Sequence, residues 1–232
     1  NLFGTLNVTQ SVTCNNSATG AIIFNVDTAQ IGVAPYNFSI DGVSFQSDSV
    51  FSSLFGDSTY SVIVEDNNLC QFSASVFLAE PSPITLDSII KTDVTCFGVN
   101  DGTAFILNPN GGTPAATGLS YTYLWSDGQT TNPATDLSPG TYSCTIFDSQ
   151  NCSLVTNLVT ISEPLLITAT VSKSDVTCNS YSNGIASLIG LAGGTTFSTG
   201  APYLYDWVDQ NTGFSIGQTD SIASSLAPGS YF

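Results

Sequence analysis

Short runs of alternating apolar and polar residues recur along the whole chain, broken every few positions by Gly, Asn, Asp or Pro. The stretches "YNFSI" (36–40), "YTYLW" (121–125) and "YLYDW" (203–207) alternate strictly. Tyr36, Phe38 and Ile40 therefore share one face, as do Tyr121, Tyr123 and Trp125, and Tyr203, Tyr205 and Trp207. A period of two marks a half-buried strand. Asp41-Gly42 and Asp127-Gly128 follow the first two stretches and signal tight turns. Further strands are expected at "AIIFNV", "TAFILN" and "IASLIG", at "YSVIVEDN" and "YSCTIFDS", and at "FSASVFLAEP" and "LVTNLVTISEP". No segment sustains a 3.6-residue period. Six or seven short strands in roughly 80 residues predict an all-β fold, a tandem array of small Ig-like or fibronectin-like antiparallel β-sandwich domains.

The array is read from internal repetition. Cys14, Cys96 and Cys178 each close a "VTC" triplet, at intervals of 82 residues. Cys70 in "EDNNLC" and Cys152 in "FDSQNC" each follow by 56 residues. "LFGDSTY", "LSPGTY" and "LAPGSY" end at Tyr60, Tyr142 and Tyr231, and "AEP" and "SEP" end at Pro81 and Pro164. The predicted domains are 1–81, 82–164 and 165–232. The third is expected to be incomplete, with its second cysteine due near position 234. The chain has no Met and no leader-like start, so an internal or processed segment is expected.

The matched 56-residue spacings predict disulfides within each repeat, Cys14–Cys70 and Cys96–Cys152. Such bridges would stabilise domains too small for a large core and imply a compartment outside the reducing cytosol. Zinc is disfavoured, because no CxxC and no His is present. Cys144 stands where the first repeat has Val62 and reads as a buried apolar substitute. Cys178 should lack a partner.

Charge narrows the function. The chain carries 18 carboxylates, two lysines and no Arg, for a formal charge of −16. Nucleic acid and anionic membrane surfaces both require clustered cations, so neither is an expected partner. No apolar run is long enough to span a bilayer. General acid–base catalysis requires His or converging carboxylates. There is no His, and Asp41, Asp66, Asp101, Asp127 and Asp148 sit at turn positions, where Asp bonds nearby backbone N–H groups. The protein is not expected to be an enzyme, and no cofactor is expected. Calcium at domain junctions is the rival reading of the aspartates, with Asp93, Asp101 and Asp175 as its candidates. The aromatic columns Tyr121, Tyr123, Trp125 and Tyr203, Tyr205, Trp207 are read as core, with a sugar-stacking platform as the alternative.

From Asp93 to Pro164 the ordered landmarks "DVTCFGVNDGTAFI", "GGTP", "YTYLWSDGQTT", "LSPGTYSCTIFDSQNC" and "VTISEP" resemble one SprB-type repeat, the module of large surface adhesins in gliding bacteria. The third repeat matches as far as it goes, with "SNG" in place of "NDG". The first departs more, with "NSATG", Ile40 in place of Trp, and "FGDSTY". The resemblance implies an extracellular, cell-surface location, export through the type IX route, and a role in filaments that grip a substratum. Its implied partners are neighbouring repeats, the outer-membrane secretion and motility machinery, and an external surface or glycan. The alternative is a non-catalytic spacer in a secreted enzyme or lectin-like protein. The resemblance also implies O-glycosylation at Asp-Ser/Thr triplets, here at Thr28, Ser49, Ser58, Ser88 and Ser221. Asn-x-Ser/Thr triplets at Asn7, Asn15, Asn37 and Asn151 carry little weight in a bacterial protein.

Lys91 and Lys173, the only two cations, fall at matching points of the repeat in "KTDVTC" and "KSDVTC". Either the ammonium blunts a strand edge, or it reaches a carboxylate across the domain junction and orients the neighbours.

Overall fold

The computed structural model describes residues 2–29, 32–196, 199 and 202–232. Every regular element among them is a strand. The first repeat carries β1 (Gly4–Gln10), β2 (Gly20–Val26), β3 (Asn37–Ser39), β4 (Val50–Leu54), β5 (Ser58–Glu65) and β6 (Gln71–Leu78). The second carries β7 (Ser88–Thr92), β8 (Gly102–Leu107), β9 (Thr122–Trp125), β10 (Ala134–Leu137), β11 (Gly140–Tyr142), β12 (Cys144–Phe147), β13 (Ser153–Val155) and β14 (Val159–Ile161). The third carries β15 (Thr168–Ser174), β16 (Gly184–Ala192), β17 (Val208–Asp209), β18 (Phe214–Ser215) and β19 (Ile222–Leu226).

Strand order makes the first repeat an antiparallel sandwich. One sheet runs β1-β2-β4 and the other β3-β5-β6. Named in chain order as in immunoglobulin-like domains, these are A-B-E and C-F-G. Alternation explains the packing: Ile22 and Phe24 of β2 and Phe51 of β4 meet Phe38, Val62 and Val64 of the other sheet in one buried cluster. The Phe24 and Phe38 rings lie 5.8 Å apart. The same order recurs as β7-β8-β10 and β9-β12-β13 in the second repeat, and as β15-β16-β19 in the third.

The turn residues behave as their chemistry requires. Gly42 and Gly128 take φ of 75° and 94°, and the Asp41 carboxylate accepts N–H bonds from Val43 and Ser44 at 2.8 and 2.7 Å. The tyrosines that end "LFGDSTY" and "LAPGSY" tie back to the turn before them. Tyr60 donates to the Phe55 carbonyl and Tyr231 to the Ala227 carbonyl, both at 3.0 Å.

One expected strand is absent. Residues 203–207 alternate in sequence, but strand structure begins only at Val208. The ladder partner that pairs with β3 and β9 elsewhere is represented here by a bridge between Asp209 and Tyr231, flanked by the backbone bonds between Val208 and Phe232 and from the Gln210 N–H to the Ser230 carbonyl. A cavity of about 890 Å³ opens between Trp207, Tyr205, Leu226, Ala186 and Tyr231. In the first repeat Val62 and Val64 of β5 pack against Ile22 and Phe24 of β2, the strand that corresponds to β16.

The chain divides into two compact units, Asn1–Ile90 with Phe105–Ala134 and Tyr142–Val159, and Lys91–Ala104 with Thr135–Thr141 and Thr160–Phe232. The first repeat lies within the first unit and the third within the second. The second repeat contributes to both.

Candidate functional site at a repeat junction

The site is built from two loops that repeat along the chain. The first lies between the A and B strands and holds the first cysteine. In it the carbonyl of Cys14 accepts from the N–H of Ser17 at 3.2 Å, and the hydroxyl of Thr19 accepts from the N–H of Thr13 at 2.9 Å. Around Cys96 the same places are taken by Val99 and by Asp101, whose carboxylate accepts from the Thr95 N–H and hydroxyl at 2.9 and 2.6 Å. Around Cys178 they are taken by Tyr181 and Asn183. Two residues past each cysteine the backbone is left-handed, at Asn16, Gly98 and Ser180. Those Thr95 bonds hold the Asp101 carboxyl below its ordinary pKa.

The second loop joins the F and G strands. Asp148 accepts N–H bonds from Gln150 and Cys152, both at 2.9 Å, and from Thr113 at 2.7 Å. Asp66 does the same for Asn68 and Cys70, both at 2.9 Å, and for Val33 at 3.2 Å. Burial pushes the Asp66 carboxyl up, but the N–H donors of Cys70, Val33 and Asn68 outweigh it and leave the group below its ordinary value. Both aspartates are buried. An Asp so placed templates the loop that presents the cysteine four residues on.

Between these loops runs the linker. Glu80 turns back onto its own repeat, accepting from the Asn15 side chain at 2.8 Å and the Asn16 N–H at 3.0 Å. Two residues later the Ser82 carbonyl accepts the Gly112 N–H of the next repeat at 2.8 Å. Gly111 lies so close to the linker that a Cβ there would sit 2.0 Å from the Pro83 oxygen, and its φ is 82°. Only glycine fits. Tyr121 donates to the Gly111 carbonyl at 2.8 Å and holds the loop from behind.

At this junction the structure corrects the expected disulfide pairing. Cys14 is bonded to Cys152, with Cα atoms 5.4 Å apart and a sequence separation of 138. The first cysteine of one repeat is thus joined to the second cysteine of the next. Strand order explains why Cys14 and Cys70 do not meet. Gly20, at the end of the Cys14 loop, lies against Leu78, and Leu78 pairs with Ser58 at one end of the β5–β6 ladder. Cys70 immediately precedes Gln71, whose pair with Glu65 closes the other end. Seven strand steps separate the ends by roughly 23 Å, far beyond the ~7 Å Cα limit of a disulfide. The Cys96–Cys152 pairing falls with it, since Cys152 is taken. Cys70, Cys96 and Cys178 are free and exposed. Cys144 is free and fully buried in β12, where burial pushes its thiol up to about 11.

The second linker repeats the backbone contacts of the first, without the side-chain bond that Asn15 makes, because Phe97 stands at that place. Glu163 accepts the Gly98 N–H at 3.0 Å, Leu165 accepts the Gly194 N–H at 2.6 Å, and a Cβ on Gly193 would sit 2.0 Å from the Leu166 oxygen. Tyr203 donates to the Gly193 carbonyl at 2.7 Å. The glutamate clamp was not anticipated from sequence, although its signal, the recurring "EP", was plain.

The remaining sites are placed as follows. Lys91 pairs with Asp93 at 2.7 Å and donates to the Thr160 carbonyl at 2.6 Å; Lys173 pairs with Asp175 at 2.9 Å. Each partner lies two residues away, so the expectation of an ion pair reaching across a junction is corrected. Lys91 stands on β7, the edge of its sheet. The Lys91 ammonium and the Ser162 N–H hold Asp93 below its ordinary pKa. Among the described residues no three His, Cys, Asp or Glu cluster, and Asp93, Asp101 and Asp175 each bond protein partners instead. Tyr121 and Trp125 are buried, Tyr123, Tyr203 and Tyr205 half-buried, and Trp207 buried. Both indoles donate to carbonyls, Trp125 to Thr131 and Trp207 to Asp220, at 2.9 Å. Thr28 and Ser88 are exposed, whereas Ser49, Ser58 and Ser221 are half-buried.

Residues 88–130 match the family model described as the SprB repeat. No curated protein matches the chain. Among solved structures, murine CEACAM1b is 10% identical with a TM-score of 0.28, covering 70% of this chain and 100% of its own. Extracellular domains 3–5 of Drosophila OTK are 10% identical with a TM-score of 0.29, covering 97% of this chain and 90% of theirs.

Proposed function

From a chain that carries a SprB-type repeat over residues 88–130, we propose a load-bearing, adhesive segment of a secreted cell-surface filament of the gliding-motility kind. The observation that supports this reading is the Cys14–Cys152 bond across a repeat junction. Tension applied at the two ends of the chain enters at Cys14 and leaves at Cys152 through the sulfurs. The 138-residue span between them is bypassed. Without the bond that span could pay out to roughly 450–500 Å at full extension. The bond therefore limits how far a pulled chain can lengthen, and it belongs to an oxidising exterior.

In this reading the chain is non-catalytic and needs no cofactor. Its partners are neighbouring repeats and an external surface, and it travels by type IX export to the motility machinery. O-glycans would sit on exposed Thr28 and Ser88 and enlarge the surface without touching the core. Intact mass of native material, showing hexose-scale additions, checks that point.

The test of function is single-molecule stretching between the termini. The oxidised chain should reach a total extension shorter than the reduced chain by the length of the bypassed span. Equal extensions would remove the load-bearing role.

A further inference from the structure

Three exposed cysteines sit in loops whose twins are already bonded. The loop of Cys70 reproduces that of Cys152 bond for bond: an Asp four residues before the cysteine, the same N–H donors two and four residues on, and a left-handed residue just before the cysteine, Leu69 at 62° and Asn151 at 61°. The loops of Cys96 and Cys178 reproduce that of Cys14 in the same way. Glu163 clamps the Cys96 loop as Glu80 clamps the Cys14 loop.

We infer that Cys70, Cys96 and Cys178 are covalent docking points for further β-sandwich repeats of the same kind, under one rule: the first cysteine of a repeat bonds the second cysteine of the repeat after it. Cys70 receives the first-cysteine loop of a repeat placed before it. Cys96 and Cys178 receive Asp-x-x-x-Cys loops of the repeats that follow their own. Pairing within one repeat is barred by the length of the sandwich, which holds the two loops at opposite ends. The inference deepens the load-bearing reading and rests on it.

Each bond forms from two thiols, which lose two protons and two electrons. A disulfide-bearing oxidant accepts both and leaves as two thiols, so the exchange balances. The consequence is mechanical. Bonded spans set by this rule overlap, because Cys96 precedes Cys152. The covalent path then crosses a junction through sulfur and follows the backbone only from Cys152 to Cys178, 26 residues on. At full stretch that segment reaches only about 90 Å, so an array of such repeats is nearly inextensible without unfolding being prevented by any other means.

The test uses the full chain extended after Phe232 by a copy of its own residues 144–164, which supplies the F and G strands and an Asp-x-x-x-Cys loop to the third repeat. Trypsin cuts only after Lys91 and Lys173, since the chain has no other Lys and no Arg. Under non-reducing conditions the peptide 92–173 should stay joined to the C-terminal peptide, and Cys96→Ser should abolish that link while Cys178→Ser preserves it. A released C-terminal peptide, with the added copy of Cys152 bonded to Cys178 or left free, overturns the rule. If that release accompanies an intact link between peptides 1–91 and 92–173, the first junction's bond and the load-bearing reading still stand. A second variant covers misfolding of the extension: in the 232-residue chain, Cys14→Ser should leave both Cys96 and Cys152 open to alkylation. A Cys96–Cys152 bond forming in that variant also overturns the rule.

Discussion

The two linkers of this chain share their backbone clamps and differ in one covalent bond and in the Asn15 side-chain bond to Glu80, a place taken by Phe97 at the second. At the first, Glu80 holds the Asn16 N–H and Ser82 holds the Gly112 N–H. At the second, Glu163 holds the Gly98 N–H and Leu165 holds the Gly194 N–H. Only the first has a disulfide beside it. Hydrogen bonds to exposed backbone set how each linker leaves one repeat and enters the next, and they are individually weak. The disulfide sets whether the first repeat and the second can separate at all. Orientation and cohesion are thus supplied by different chemistry.

Reduction breaks the comparison most severely. Removing a bond that closes a 138-residue span should cost up to about 5 kcal/mol in the chain-entropy model, read as a fall in melting temperature. Cys14→Ser and Cys152→Ser should each reproduce that fall, and Cys178→Ser should leave it unchanged. Trp125→Ala comes next. Trp125 is 1% exposed, and its loss should cost on the order of 3–5 kcal/mol by denaturant titration. The Cys14–Cys152 bond should survive in the folded fraction.

Smaller effects sharpen the likeness of the two linkers. Glu80→Gln and Glu163→Gln should each cost about 1 kcal/mol or less, as expected for charge-assisted bonds near solvent. Hydrogen exchange should quicken at Asn16 in the first variant and at Gly98 in the second. Acid supplies the last comparison. Asp66, Asp93 and Asp101 are each held below the ordinary carboxyl value in the folded chain. Their contribution is present above the unfolded value and lost as pH falls through the folded ones. Below about pH 4, on the ordinary carboxyl scale, the Cys70 and Cys96 loops should loosen in NMR, while the disulfide holds the Cys14 loop to Cys152.

Much of the fold was legible in the sequence because alternation is local. "AIIFNV", "TAFILN" and "IASLIG" became β2, β8 and β16, and the Asp-Gly pairs became turns with positive φ. The landmarks of the junction were legible too, as VTC, EP, GGT and Asp-x-x-x-Cys, but their connections were not. Spacing is one-dimensional: in a perfect repeat, pairing within a unit and pairing to the next unit both give constant separations. Only strand order, which puts the A–B and F–G loops at opposite ends of a sandwich, separates the two. The stretch 203–207 misled for a related reason, since alternation specifies a face but a strand also requires a ladder partner.

The pairing of Cys14 is the most direct thing to measure. Trypsin digestion of the oxidised 232-residue chain, without reductant, should release 174–232 and leave 1–91 and 92–173 joined through Cys14 and Cys152. Three separate peptides, with the first carrying a Cys14–Cys70 bond, would contradict the account.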